Sequence, residues 1–183
     1  MAEYRGGARS AAVGAALVLL LGATCAPVAE AAATAPKGPT ESGYVVSRVV
    51  DGDTVHVERD GVDLTVRLVG VNAPESVKPN APVECFGPQA SDFAKAQLTG
   101  RAVRLEFDPS QGRTDQYGRT LAYLWVERPG TTPTLFNRTA VRQGYAFERQ
   151  YGPTPPAWKA ELRAAEQQLT TQLLAPAREA PGA

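Results

Sequence analysis

The sequence predicts an α+β chain, mainly β, folded as a five-stranded OB-type barrel with about three helices packed against it. Three observations predict it. A valine-rich run at Val45–Val50 and alternating apolar runs at Val55–Val57 and Leu64–Leu68 follow one another, each bounded by a turn signal. One stretch of helical spacing separates them from two further alternating runs, Val103–Phe107 and Leu121–Trp125. Two more helical stretches follow those.

In chain order, Asp51-Gly52-Asp53 reads as a tight turn between the first two strands, because glycine accepts positive φ and aspartate can bond its own backbone. Arg59-Asp60-Gly61 is the second turn. Leu64, Val66 and Leu68 then alternate, which places Thr65 and Arg67 on the opposite face. Asn72-Ala73-Pro74-Glu75 ends this strand, since proline restricts the residue before it and cannot donate to a ladder. A helix is expected from Gly87-Pro88 to about Leu98, with Gly100 as its stop. Asp108 to Gly112 and Pro129 to Pro133 are loops. Leu135 to Arg142 is helical with Gly144 as its cap, and Trp158, Leu162, Ala165, Leu169 and Leu173 form the apolar stripe of a last helix.

The N-terminus reads as a separate unit. Arg5 and Arg9 precede an apolar run from Ala11 to Ala23, and Ala29-Glu30-Ala31 fits a small-residue cleavage pattern. We expect a signal peptide over 1–31, a flexible linker over 32–43 rich in Ala, Pro, Thr and Gly, an OB-fold domain over 44–174 and a disordered tail over 175–183. The expected localisation is extracellular, with no membrane attachment after removal of the signal. Cys85 is then the one remaining cysteine, so no internal disulfide is expected. His56 is the only histidine, which excludes a His-rich zinc site, and it reads as an ordinary strand residue.

The chain carries 19 basic and 19 acidic residues. Taking off Arg5, Arg9, Glu3 and Glu30 with the signal leaves 17 of each, so a nucleic-acid partner would have to be held by a local groove rather than by global charge.

The chemistry concentrates between Val49 and Glu75. Asp53 opens one strand, and Asn72 and Glu75 close another. If those ends meet, carboxylate and amide oxygens converge, which is what a hard cation such as Ca²⁺ takes. An arginine beside such a cluster suits phosphate. Cation, guanidinium and glutamate together suggest phosphodiester cleavage. The plainer reading of the same residues is a turn and a solvated strand arginine.

Several ordered motifs decide between the two. Asp51-Gly52-Asp53-Thr54, Val66-Arg67-Leu68, Asn72-Ala73-Pro74-Glu75, Phe86-Gly87-Pro88-Gln89-Ala90-Ser91, Tyr117-Gly118-Arg119 followed by Leu121-Ala122-Tyr123, and Val141-Arg142-Gln143-Gly144 resemble the staphylococcal nuclease (thermonuclease) family. The resemblance covers about Tyr44 to Leu174. It implies a calcium-dependent endonuclease hydrolysing DNA and RNA, a monomer without a stable protein partner. It implies Asp53, Asn72 and the Ala73 carbonyl as metal ligands, and Arg67, Glu75 and Arg119 as catalytic residues. Glu75 falls where the family has its general base or water-orienting residue, and Arg67 and Arg119 where it has two phosphate-binding arginines. Asp115 and Tyr117 shape the loop that carries Arg119. Asn72 departs from the family's pattern, which has aspartate there. A nucleic-acid-binding OB module without catalysis is the alternative; the presence of Arg67, Glu75 and Arg119 argues against it.

Overall fold

In the computed structural model, residues 35–76 and 84–174 are described. The expected signal segment, the first residues of the linker and the expected tail lie outside the described residues. Five long strands form β1 (Thr40–Val49), β2 (Thr54–Arg59), β3 (Val62–Leu68), β5 (Ala102–Glu106) and β6 (Thr120–Val126). Two-residue pieces make β4 (Val71–Asn72), β7 (Thr134–Leu135) and β8 (Phe147–Glu148). The helices are α1 (Gly87–Leu98), α2 (Phe136–Arg142) and α3 (Lys159–Leu174). Antiparallel pairs run β3-β2-β1-β5-β6, and a parallel β3–β6 pairing, Val66 to Thr120 through Leu68 to Ala122, closes the barrel. The architecture is the mainly-β OB barrel with three helices that the alternation predicts.

The barrel fills with the inward side of that alternation. Val46, Val55, Val57, Val66, Leu68, Val103, Leu105 and Leu124 are all buried. Ala90, Ala94 and Leu98 of α1, Leu162 and Ala165 of α3, and Trp158 just before α3 are buried in the same core. The α3 stripe is shorter than its spacing suggests, since Leu173 is exposed.

The segment expected as linker is partly built into the fold. Thr40 to Ser42 belong to β1, and the Lys37 and Gly38 amides donate to Glu106 Oε1 at 2.6 and 2.9 Å. Glu106 is fully buried and also accepts from Trp125 Nε1 at 2.7 Å and from Trp158 Nε1. A buried carboxylate must have such partners. Its need for donors fastens chain that composition alone marks as flexible.

Three two-residue strands and their two pairings escape a periodicity reading because two residues carry no period. One of them matters here: β4 pairs with β8, Asn72 opposite Phe147, and brings the 147–151 segment against the end of β3. No helix among the described residues is long and apolar enough to cross a membrane.

Candidate active site

Parallel closure of the barrel sets Arg67 opposite Leu121, two residues beyond Arg119. The β2–β3 ladder sets it opposite Thr54, next to Asp53. One cleft of about 1240 Å³ is therefore lined by all eight residues singled out in the sequence: Asp53, Arg67, Asn72, Ala73, Glu75, Asp115, Tyr117 and Arg119.

Asp53 and Arg67 form its floor. Asp53 Oδ2 accepts the Ala73 N–H at 2.7 Å and lies 3.1 Å from Arg67 Nη2. Its backbone amide donates to Asp51 Oδ1 at 3.0 Å, which fixes the turn. Gly52 does not have the positive φ that its place in a turn suggests. It is small for a different reason: a Cβ there would stand 2.5 Å from Ala73 Cβ and 3.2 Å from Ala90 Cβ. The glycine lets the Asp51–Asp53 turn close on Ala73.

Burial pushes the Asp53 carboxyl up to about 6 against the pull of Arg67, and the Asp51 carboxylate adds to the rise. A buried acid held up in this way gains from any further positive charge.

Arg67 is not a solvated strand residue; it is 9% exposed. Nη1 donates to the Leu68 and Val71 carbonyls at 2.9 and 3.0 Å, and Nη2 to Tyr151 Oη at 2.8 Å and to Asn72 Oδ1 at 3.4 Å. Tyr151, which the sequence reading missed, donates in turn to Asn72 Oδ1 at 2.5 Å. Partial burial pushes its phenol up, although the residue as a whole stays exposed. Only its arrival through the β4–β8 pairing reveals it; a tyrosine in a polar loop carries no signal of its own. Arg149 reaches the same cleft by the same route, with its amide donating to the Gly70 carbonyl at 2.9 Å.

Glu75 is placed by its backbone. Its amide donates to Glu84 Oε2 at 3.0 Å, and its carbonyl accepts from the Glu84 amide at 2.8 Å. A Cβ on Gly87 would come within 2.3 Å of that carbonyl, so the first residue of α1 must be glycine for the approach to exist.

Asp115 organises the Arg119 loop. Oδ1 accepts from the amides of Tyr117 and Arg119, both at 2.9 Å, and Oδ2 from Arg119 Nε at 2.7 Å. Burial raises the Asp115 carboxyl, but these N–H donors outweigh it and hold it below the usual range. Gly118, at φ 77°, makes the turn. Tyr117 is exposed, with the Arg119 guanidinium 5.4 Å from its ring centre.

A cation here would meet an oxygen-only donor set: the Asp51 and Asp53 carboxylates, the Asn72 amide and the Ala73 carbonyl. Among the described residues no group of three or more His, Cys, Asp or Glu comes together as a metal site. Carboxylate and neutral oxygens alike are hard donors, which suit hard cations better than softer metals.

A family model described as staphylococcal nuclease homologue matches residues 65–172. The chain belongs to this family. Arg67, Asn72, Ala73, Glu75, Asp115, Tyr117 and Arg119 fall inside the match, and Asp53 precedes it. The nuclease-family chain is 45% identical over 113 residues to a thermonuclease of Staphylococcus hyicus, covering 62% of this chain and 63% of that protein. It is 46% identical over 110 residues to a thermonuclease of Staphylococcus intermedius, covering 60% and 61%. Endonuclease YncB of Bacillus subtilis is 38% identical over 103 residues, with 56% of this chain and 48% of that protein covered. The chain thus spans less than two thirds of the length of each of these relatives.

Proposed function

We propose that this protein is a secreted, calcium-dependent endonuclease that hydrolyses phosphodiester bonds of DNA and RNA, acting as a monomer. The observation that carries the reading is the convergence of Asp53, Arg67, Asn72, Glu75 and Arg119 on one cleft, from four separate stretches of chain. The thermonuclease relatives support the reaction class. The apolar, arginine-led N-terminal segment supports export.

Asp53, the Asn72 amide oxygen and the Ala73 carbonyl would hold the cation. When bound, Ca²⁺ supplies positive charge toward a phosphoryl oxygen. The protein's own groups do the rest. Glu75 orients the attacking water and takes its proton, the work of a positioned general base. Arg67, its position fixed by two backbone carbonyls, and Arg119, steered by Asp115, stabilise the charge that grows on the phosphoryl oxygens. In-line attack and departure of the 5′-oxygen would leave a product ending in a 3′-phosphate, as the family resemblance implies.

The test is incubation of the purified protein with plasmid DNA in Ca²⁺ or in chelator. Degradation in Ca²⁺ alone supports the reading. Retardation of the DNA without cleavage would make the protein a binding module instead.

A further inference from the structure

The cleft does not end at the catalytic residues. At about 1240 Å³ it exceeds the ~300–1,000 Å³ of ordinary small-ligand pockets, and its lining continues away from Arg67 through Thr65 and His56 to Arg48. These three form one row across the sheet. Arg48 pairs with His56 in the β1–β2 ladder, and His56 with Thr65 in the β2–β3 ladder. The row sits one pleat from the Thr54–Arg67 pair, about 7 Å along the strands, and Arg48 lies a further two strand spacings across, about 10 Å.

A bulge aims Arg48. The register of β1 on β2 shifts between Val46 and Arg48, so Ser47 is the extra residue and Arg48 rather than Ser47 comes opposite His56. Bulges re-aim side chains next to active sites. His56 then holds the guanidinium in place. Arg48 Nη2 lies 2.6 Å from His56 Nε2, and because a guanidinium only donates, Nε2 is the acceptor. The ring's other nitrogen, Nδ1, carries the proton and donates to Asp63 Oδ1 at 2.7 Å. Asp63, on β3, bonds the ring through that nitrogen, and the Arg48 charge also acts on its carboxylate. An exposed arginine is thus held by a histidine that is itself held, and this contact engages only one of its guanidinium nitrogens.

We propose that Arg48, positioned by His56, is a phosphate-binding subsite for the same single nucleic-acid strand, one or two nucleotides away from the phosphate at Arg67 and Arg119. This rests on the nuclease reading of the cleft. The subsite would give affinity for long substrates without sequence preference, since it reads phosphate alone. It also offers a way for a chain of zero net charge to track a polyanion, since four arginines, Arg48, Arg67, Arg119 and Arg149, line this one groove.

The full chain is tested as wild type, Arg48→Ala and His56→Ala. Binding of a fluorescent 12-nucleotide single strand is measured in chelator, where no turnover is expected, across a salt series. Hydrolysis of a dinucleotide is measured separately in Ca²⁺. Arg48→Ala should weaken 12-mer binding by about 2- to 10-fold and lower the slope of log K against log salt by about 0.7, the share of one phosphate contact on a single strand. His56→Ala should produce a smaller change in the same direction, and neither should alter dinucleotide hydrolysis. An unchanged slope in Arg48→Ala overturns the subsite, and so does an equal loss on the dinucleotide. Should the wild type bind the 12-mer with the expected slopes yet never cleave, the nuclease reading fails while the subsite stands; no binding by the wild type defeats both.

Discussion

Arg67 Nη2 stands 3.1 Å from Asp53 Oδ2, and both side chains are nearly closed off from solvent. Arg119 and Asp115 make the same kind of pair at 2.7 Å with side chains 30% and 17% exposed. The family resemblance gives the two arginines parallel roles; the structure gives them different surroundings. Removing Arg67 leaves a buried carboxyl and two carbonyls without their donor. Arg67→Ala should therefore cost about 3–5 kcal/mol of stability, and Arg119→Ala about 1 kcal/mol or less. Denaturant unfolding in chelator measures both. Equal losses would mean that the Asp53–Arg67 pair contributes nothing beyond a surface contact.

Gly52 separates space from backbone freedom. Gly52→Ala puts a methyl 2.5 Å from Ala73 Cβ, a group that cannot swing away. The turn has to retreat, stretching the 2.7 Å bond from the Ala73 amide to Asp53. We expect a loss of about 1–3 kcal/mol, as for other overpacked sites, together with weaker Ca²⁺ binding. Calorimetric melting and a Ca²⁺ titration check it. A mutant with wild-type stability and affinity would show that the turn has slack.

Asp108 ties the loop after β5 to the start of α3. Burial works to raise its carboxyl, but the Ala157 and Ser110 amides and the Ser110 and Tyr123 hydroxyls, all within 2.6 to 2.9 Å, hold it below the usual carboxylate range. The unfolded state then binds the proton more readily, so this stabilisation is present above the ordinary aspartate pKa of about 3.9 and is lost as pH falls through the lower folded value. Asp108→Asn should be less stable than wild type at pH 7, with the gap closing below about pH 4. Urea midpoints across pH decide it, and a constant gap would contradict the assignment.

Asn72 presents one oxygen to Tyr151 and Arg67 where the family's pattern has a carboxylate. Asn72→Asp adds a full negative charge worth up to about 8 kcal/mol toward a divalent cation 4 Å away at an effective dielectric of 20 (about 4 for each unit of its charge), less desolvation and the competing pull of Arg67. The mutant should bind Ca²⁺ more tightly by calorimetry. Equal or weaker binding would mean that residue 72 does not face the metal.

The barrel was legible because β2, β3, β5 and β6 alternate over several residues and valines mark β1 despite its bulge, and α1 because Gly87-Pro88 and Gly100 bracket it. The eight site residues were legible only as motifs; their meeting depends on the parallel β3–β6 closure, which no local pattern encodes. Arg67 could be placed opposite the core face by alternation, yet its burial could not, since one of its partners, Tyr151, comes from 84 residues away. Gly52 was found for the wrong reason, because a sequence shows a glycine but not the methyl of Ala73 against it. The Glu106 cluster that fastens Lys37 and Gly38 was invisible, since partners some 70 residues distant leave no mark on composition.

Glu75 carries the central claim, that the cleft hydrolyses phosphodiesters with a protein carboxylate managing the water. The direct measurement is the rate of DNA cleavage in saturating Ca²⁺ by wild type and Glu75→Gln, alongside their melting temperatures and Ca²⁺ affinities. The account predicts a loss of about 10²–10⁴-fold in rate with melting and affinity little changed. A Glu75→Gln protein that cleaves at the wild-type rate would contradict it.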